Sequence, residues 1–235
     1  MEKKKYAIIM AAGSGTRMGG TMPKQFLDLE GRSILQRTIE KFVAACPDIR
    51  IVTVLSRSSV EYWKERCIRD NFIIPQIIAE GGITRFHSVR NALSKVPDDA
   101  IVAIHDGVRP LVSVSLIREM FSRMEDGGGI SSLVPVVPMV DTLKILERGS
   151  DGTLSLSEGS ADRSKVFGAQ TPQMFISSQI KEAYGQAYDT SFTDDASVFS
   201  AKGKPLSFIY GERFNIKITT PEDLFLARAV FNYSK

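Results

Sequence analysis

Residues 6–24 read Tyr6-Ala7-Ile8-Ile9-Met10-Ala11-Ala12-Gly13-Ser14-Gly15-Thr16-Arg17-Met18-Gly19-Gly20-Thr21-Met22-Pro23-Lys24. Tyr6 to Met10 is a short continuous apolar run, the pattern of a buried strand. The next five residues carry almost no side chain, so a polyanion can approach their backbone N–H groups closely. Arg17 adds a forked, permanently charged donor set, and Lys24, held behind Pro23, adds a compact point charge. The stretch predicts a strand feeding a triphosphate grip. The bland alternative is a flexible strand-to-helix turn with two solvated cations.

Two better-known glycine loops do not fit. The Walker loop requires G-x-x-x-x-G-K-[ST], a string that does not occur in this sequence. A dinucleotide fingerprint begun at Gly13 and Gly15 meets Met18 at its third position. It would also need an acid at the end of the second strand, where Ile51–Leu55 is followed by Ser56 and Arg57.

The rest of the chain alternates in βα fashion. A helix is expected over 33–45, where Ile34, Leu35, Thr38, Ile39 and Phe42 fall at helical spacing before Pro47, and another over 58–71. A short strand, 73–79, is interrupted by Pro75 and belongs near an edge. Ile101–Ile104 reads as a central parallel strand that delivers Asp106 to its carboxyl end, where open α/β sheets bind ligands. Asp106 there can hold Mg²⁺ together with phosphate oxygens, or can be only a turn former before Gly107. His105 reads as a buried histidine bonded to backbone. A helix over 113–124, strands over 130–137 and 206–210, and helices over 177–188 and from Thr220 to Phe231 complete the expectation, a mainly parallel sheet covered on both faces. Residues 140–161 break the pattern, because two alternating segments flank a Gly149-Ser150-Asp151-Gly152 turn. That is a hairpin, and a lone hairpin is marginal in water unless it packs on something.

Composition sets limits. At 235 residues, with 43% hydrophobic and 24% charged residues, the chain suits one soluble domain, residues 1–235. A net charge of +3 is too small to argue for nucleic acid and suits an anionic small substrate. Cys46 and Cys67 match no metal spacing and point to a reducing compartment. Lys3 to Lys5 before an apolar run imitates a secretory signal, but the run leads straight into the glycine loop, so it is read as strand one. Without a membrane-length apolar stretch, a cytoplasmic protein is expected.

Along the whole chain, A-A-G-x-G-x-R-M with P-K-Q behind it, G-G-x-x-R-x-x-S-V at Gly81–Val89, H-D-x-x-R-P at His105–Pro110 and Q-T-P-Q-x-F at Gln170–Phe175 resemble the sugar- and alditol-phosphate nucleotidyltransferases. Within them, Pro23-Lys24-Gln25-Phe26-Leu27 looks most like the cytidylyltransferases of the 2-C-methyl-D-erythritol 4-phosphate type. The resemblance implies a Rossmann-like (GT-A-like) twisted sheet with a protruding β-arm at 140–161, Mg²⁺ on Asp106, and CTP and a polyol phosphate as substrates. It further implies Arg17, Lys24 and Lys217 as catalytic cations, and a nucleotide cradle of Ala11, Ala12, Gly13, Gly15, Gly82, Ser88, Asp106 and Gly107. Gly82 backbone and the Ser88 hydroxyl would hydrogen-bond the base edge. Arg109, Thr142, Arg163 and Thr193 would take the polyol phosphate, Arg163 and Thr142 reaching in from a partner's arm in a homodimer. Taken alone, Ser88 and Thr193 could be helix caps and Lys217 a solvated strand charge. One departure is Ile83, where such enzymes often carry an acid. Ribitol 5-phosphate cytidylyltransferases share the loop, H-D-x-x-R-P and Q-T-P-Q, whereas Arg85-Phe86-His87-Ser88-Val89 and Thr193-Asp194-Asp195-Ala196-Ser197 look more like the erythritol-phosphate enzymes. A reductase lacks its acid after strand two, and a non-catalytic nucleotide-binding regulator would not need Arg17, Lys24, Asp106 and Lys217 together.

Overall fold

The first apolar run forms β1 (Lys4–Ala11), and its alternating side chains seed two cores. The computed structural model describes residues 3–13, 22–126, 128–157 and 161–233. On one face of β1, Ala7, Ile9 and Ala11 pack with Leu35, Ile39 and Phe42 of α1 (Ile34–Ala45), Trp63 of α2 (Val60–Arg69) and Ile117, Met120 and Phe121 of α4 (Val114–Glu125). On the other, Tyr6 and Ile8 pack with Phe86 and Val89 of α3 (Arg85–Leu93), Ile180 and Tyr184 of α5 (Ser177–Tyr184) and Phe199 of α6 (Asp195–Ala201). Burial on both faces explains why β1 and β6 (Ala100–Asp106) read as continuous apolar runs instead of alternating.

The remaining strands of the central sheet are β4 (Arg50–Leu55), β5 (Gln76–Glu80), β7 (Ser132–Pro138), β10 (Phe167–Ala169), β11 (Gln173–Ile176) and β12 (Phe208–Tyr210). Among the described residues the sheet has eight strands in the order β10-β7-β11-β6-β1-β4-β5, with β12 paired to β7. β1 is parallel to both β4 and β6, β4 to β5, and β12 to β7. β11 runs antiparallel between β6 and β7, and β10 is antiparallel to β7. The sheet is thus mixed and mainly parallel, as the sequence predicts.

Local chemistry sets the helix starts. Ser33 caps α1 through a reciprocal box with Gln36, each accepting from the other's backbone N–H, at 3.2 and 2.8 Å. Ser113 Oγ accepts from Leu116 N–H at the head of α4. The expected helix over 58–71 is a 3₁₀ turn, Arg57–Ser59, followed by α2, and the helix expected to reach residue 188 ends at Tyr184 as α5, with Gly185 its C-cap. β5 begins only after Pro75, which lacks the N–H a ladder needs. A two-residue ribbon, β2 (Asp28–Leu29) with β3 (Arg32–Ser33), turns through Glu30 and Gly31, both at positive φ. The last helix, α7 (Pro221–Tyr233), is capped by Thr220 Oγ1, while Asp223 Oδ2 accepts from Thr219 and Thr220 N–H. No helix among the described residues is long and apolar enough to cross a membrane.

The arm is a short hairpin, β8 (Leu146–Arg148) against β9 (Leu154–Leu156). It covers less of 140–161 than the alternation suggests. Residues 139–145 carry no regular structure. Every residue of both strands is exposed, including Leu146, Leu154 and Leu156.

Candidate active site

A cleft of about 400 Å³ opens at the carboxyl ends of β1 and β6. Ala11, Ala12 and Gly13 form its floor beside Lys24 and Gln25, Gly82 to Arg85 and Ser88 form one wall, and Asp106, Lys217 and Thr219 face them. This is where ligands sit on open parallel sheets.

The floor is held by a side chain that sequence reading quoted without a role. Gln25 is buried and donates from Nε2 to Ala11 O at 2.8 Å and Gly13 O at 3.2 Å, turning those carbonyls inward. A Cβ on Gly13 would meet nothing within 4 Å among the described residues. Lys24 opens a 3₁₀ turn anchored by Phe26, whose ring centroid lies 4.9 Å from Tyr62 and 5.9 Å from Trp63. Arg66 Nη1 also donates to Phe26 O. Arg17 and Gly15, expected in the grip, lie outside the described residues.

The wall corrects one expectation. The cap of α3 is Thr84, whose Oγ1 accepts from His87 N–H, and Ser88 lies within the helix. Gly82 N–H donates to Ser88 Oγ at 2.9 Å, and that hydroxyl donates in turn to Thr84 O at 2.9 Å. The Gly82 N–H and the Ser88 hydroxyl proton are therefore spent inside the protein, although both residues were expected to hydrogen-bond the base edge. What they leave for a ligand is acceptor capacity, at Gly82 O and the remaining lone pair of Ser88 Oγ. Gly81 and Gly82 are needed for close approach, since a Cβ would fall 2.6 Å from Ala12 Cβ at the first and 2.5 Å from His87 Cβ at the second. Ile83 stands on the rim, 96% exposed.

Arg85 is a cleft residue that sequence reasoning quoted but did not single out. Its Nη1 and Nη2 donate to the two oxygens of Asp195 at 2.7 and 2.6 Å, and Tyr184 Oη donates to Asp195 Oδ1 at 2.6 Å. Asp195 is fully buried, and the only sequence signal for it was its place beside a helix cap. Burial would lower the guanidinium pKa, but Asp195 overrides it and holds Arg85 charged. Burial and the Asp195 charge both push the Tyr184 hydroxyl up, keeping it a donor.

Asp106 sits opposite at the end of β6. Its Oδ2 receives Arg109 Nε at 3.0 Å and Lys217 Nζ at 3.2 Å. Burial alone would raise the pKa of this carboxyl, but Lys217, Arg85 and Arg109 outweigh it and hold the group well below the usual carboxylate range. His105 is fully buried, as expected, with Nε2 3.2 Å from Arg109 O and Nδ1 3.0 Å from Thr171 Oγ1. Burial lowers its pKa to about 4 against the partial opposition of Asp106, so the imidazole is neutral. Thr171 Oγ1 also accepts Asp106 N–H at 3.1 Å, which fixes the strand end that presents the carboxylate.

Other expected site residues lie elsewhere in the single chain. Gly107 does not line the cleft; a Cβ there would fall 2.9 Å from Met10 O and 3.1 Å from Leu35, so its smallness serves packing. Arg109 is nearly buried and spent on Asp106 and on Asn215 O, 2.7 Å away, so it acts on the acid and not on the cavity. Thr142, Arg163 and Thr193 do not line the cleft. Arg163 Nη1 donates to Val140 O, and Thr193 N–H to Ser197 Oγ. No cluster of three or more His, Cys, Asp or Glu able to hold a metal exists among the described residues.

A mixed, mainly parallel sheet with a backbone cradle, facing cations and an acid at its strand ends defines a nucleotidyltransferase-like α/β protein. The sequence profile of 2-C-methyl-D-erythritol 4-phosphate cytidylyltransferase (IspD) matches residues 6–233, and the chain belongs to that family. The enzyme of that name from Porphyromonas gingivalis W83 is 44% identical over 230 residues, spanning 97% of this chain and 98% of its own. The one from Bacteroides thetaiotaomicron is 40% identical over 227 residues, 97% of this chain and 99% of its own. Among solved structures, 4-diphosphocytidyl-2C-methyl-D-erythritol synthase from Anaerococcus prevotii superposes with a TM-score of 0.76 at 26% identity, covering 98% of this chain and 99% of that one. The Francisella tularensis enzyme gives 0.74 at 28% identity, covering 97% and 99%.

Proposed function

We propose that the protein transfers the cytidylyl group of CTP to 2-C-methyl-D-erythritol 4-phosphate, giving CDP-methylerythritol and pyrophosphate, a step toward isoprenoid precursors outside the mevalonate route. The observation that carries this reading is the convergence of the 11–13 backbone, Lys24, Arg85, Asp106 and Lys217 on one cleft. A phosphate monoester with its second pKa near 6 is largely a dianion at neutral pH and already a nucleophile, so no general base is needed. Neutral His105, sealed from the cleft by its own hydrogen bonds, fits that chemistry. The barrier is repulsion between anions and charge build-up at the α-phosphorus as the P–O bond to pyrophosphate breaks. Arg17, Lys24 and Lys217 are assigned to that charge. Gly82 O and Ser88 Oγ, acceptors in this fold, suit the exocyclic amino donor of cytosine.

Asp106 fits a magnesium ion, which takes one or two carboxylates and completes its shell with phosphate and water. Both ion pairs of Asp106 fall on Oδ2, and the Asp106 carboxylate is the group that would hold the cation. When bound, Mg²⁺ would neutralise phosphate oxygens; the protein residues orient them. The exposed β8–β9 hairpin and Arg163 fit an arm that reaches a second copy, placing Thr142, Arg163 and Thr193 around the polyol phosphate in a homodimer of one-domain chains, residues 1–235. Two unpaired cysteines, Cys46 and Cys67, fit the cytoplasm.

Pyrophosphate release measured across four NTPs and a panel of polyol phosphates, with and without EDTA, tests this reading. CTP with methylerythritol phosphate should dominate, ribitol 5-phosphate should be much poorer, and chelation should abolish turnover until Mg²⁺ is restored. Equal turnover of the ribitol ester would overturn the substrate assignment, and activity surviving rigorous chelation would remove the metal.

A further inference from the structure

Lys217 stands on a segment without regular structure, between β12 and α7, yet its Nζ meets Asp106 Oδ2 at 3.2 Å. Backbone bonds fix the two ends of that segment, Gly211 N–H to Val136 O at 2.8 Å and Ile218 N–H to Val108 O at 2.9 Å. The stretch between them has no ladder and leans on a side-chain amide. Gln170, 7% exposed, pairs with both backbone groups of Glu212: its Nε2 donates to Glu212 O at 2.8 Å, and its Oε1 accepts Glu212 N–H at 3.1 Å. The same Oε1 accepts Asn215 Nδ2 at 3.3 Å. Asn215, fully buried, spends Nδ2 also on Thr171 O at 2.8 Å and gives its own carbonyl to Arg109 Nη1. Space confirms the fit. A Cβ on Gly211 would sit 2.5 Å from Gln170 Oε1, so the loop closes on the amide only because residue 211 has no side chain.

We propose that Gln170 is a positioning residue for the transfer reaction, a buried amide bracket that sets the 211–217 segment so that Lys217 meets Asp106. This rests on the assignment of Lys217 to the reacting phosphates. The bracket reads the segment as a neighbouring strand would, through one N–H and one C=O, and so fixes its height as well as its distance. Without it, Asn215 keeps its bond to Thr171 O while Glu212 loses both of its Gln170 partners. The stretch between Gly211 and Ile218 then loosens about Asn215, and Lys217 Nζ is no longer held at Asp106 Oδ2. Misplacing a reacting group by about 1 Å can cost on the order of 10²-fold in rate.

The test is a double-mutant cycle on kcat with CTP and methylerythritol phosphate, using Gln170→Leu and Lys217→Ala. Gln170→Leu should lower kcat by about 10-fold or more in the native background, with KM for CTP changed far less, and by less than about 2-fold when Lys217 is already Ala. A general structural role gives the same fold-loss in both backgrounds, and that result, or an unchanged kcat for Gln170→Leu alone, overturns the proposal. If Lys217→Ala by itself leaves kcat intact, the assignment of Lys217 fails first, and the two failures are told apart. Gln170→Glu keeps Oε1 for Glu212 N–H and Asn215 but cannot donate to Glu212 O. It carries the same cycle should the leucine variant not fold, with a smaller loss in the native background and none in the Lys217→Ala background; equal losses again overturn it.

Discussion

Asp195→Asn removes the charge on which Arg85 and Tyr184 both depend. In the native protein the carboxylate is fully buried, accepts two guanidinium bonds at 2.7 and 2.6 Å and the Tyr184 hydroxyl at 2.6 Å, while the Arg85 side chain is 32% exposed. An asparagine can still accept on one oxygen, but its NH₂ faces a guanidinium that has only donors. Breaking one partner of a buried ion pair costs about 3–5 kcal/mol because the other charge stays behind. Arg85 is a third exposed and regains some hydration, which places the expected loss near the lower end, about 3 kcal/mol. For a chain of this length that corresponds to a fall in Tm of roughly 6–12 °C. Differential scanning calorimetry at neutral pH measures it. Arg85→Met with Asp195→Leu and Tyr184→Phe should recover much of that stability, since neither a charge nor the Tyr184 hydroxyl is then orphaned, while activity stays low because the cleft has lost a cation. A Tm shift under about 2 °C for Asp195→Asn would refute the reasoning.

Lys24→Ala should lower kcat by on the order of 10²-fold or more while CTP still binds, because its charge acts mainly where negative charge develops; an unchanged kcat with weaker binding would make it a simple binding lysine. His105 stays neutral in the folded protein down to about pH 4, whereas in the unfolded chain it takes a proton near 6.5. The unfolded state therefore binds more protons between those values, and stability should fall as pH drops from about 6.5 to 4, by at most about 3 kcal/mol. Urea titrations of native and His105→Gln proteins isolate this slope, which is absent from the variant; parallel slopes would contradict it. If Arg163 serves the partner's site, co-refolding Lys24→Ala with Arg163→Ala should restore roughly a quarter of all sites, since about half of random dimers are mixed and each holds one intact site. A mixture as inactive as its parents, despite verified subunit exchange, would assign Arg163 to its own subunit.

Periodicity made the layers legible. The apolar runs at Tyr6–Met10 and Ile101–Ile104 and the helical stripe from Ile34 to Phe42 fall where β1, β6 and α1 stand. The antiparallel strand β11 was not legible, because Gln173–Ile176 is too short for a period to show and its motif carried only a family resemblance. In the fold, Gln173 is structural: it accepts Ala196 N–H at 2.8 Å and donates to Asp194 Oδ2 at 2.8 Å, fastening α6 and therefore Asp195. Motifs located the cleft but could not say which of their residues face it. Arg109, the Gly82 N–H and the Ser88 hydroxyl turn inward to hold the site, because a buried polar group must be satisfied wherever the packing leaves it. Arg85 was hidden for the opposite reason, since its partner Asp195 lies 110 positions away and only the fold joins them.

The central claim is that a phosphate oxygen of the acceptor attacks the α-phosphorus of CTP in this cleft. Methylerythritol 4-phosphate labelled with ¹⁸O at its non-bridging oxygens, incubated with CTP and Mg²⁺ and followed by ³¹P NMR, reads the bond made and the bond broken. The label should stay wholly in the diphosphate of CDP-methylerythritol, one atom now bridging its two phosphorus atoms, and the released pyrophosphate should carry none. Label in the pyrophosphate, or no diphosphate product at all, would contradict the account.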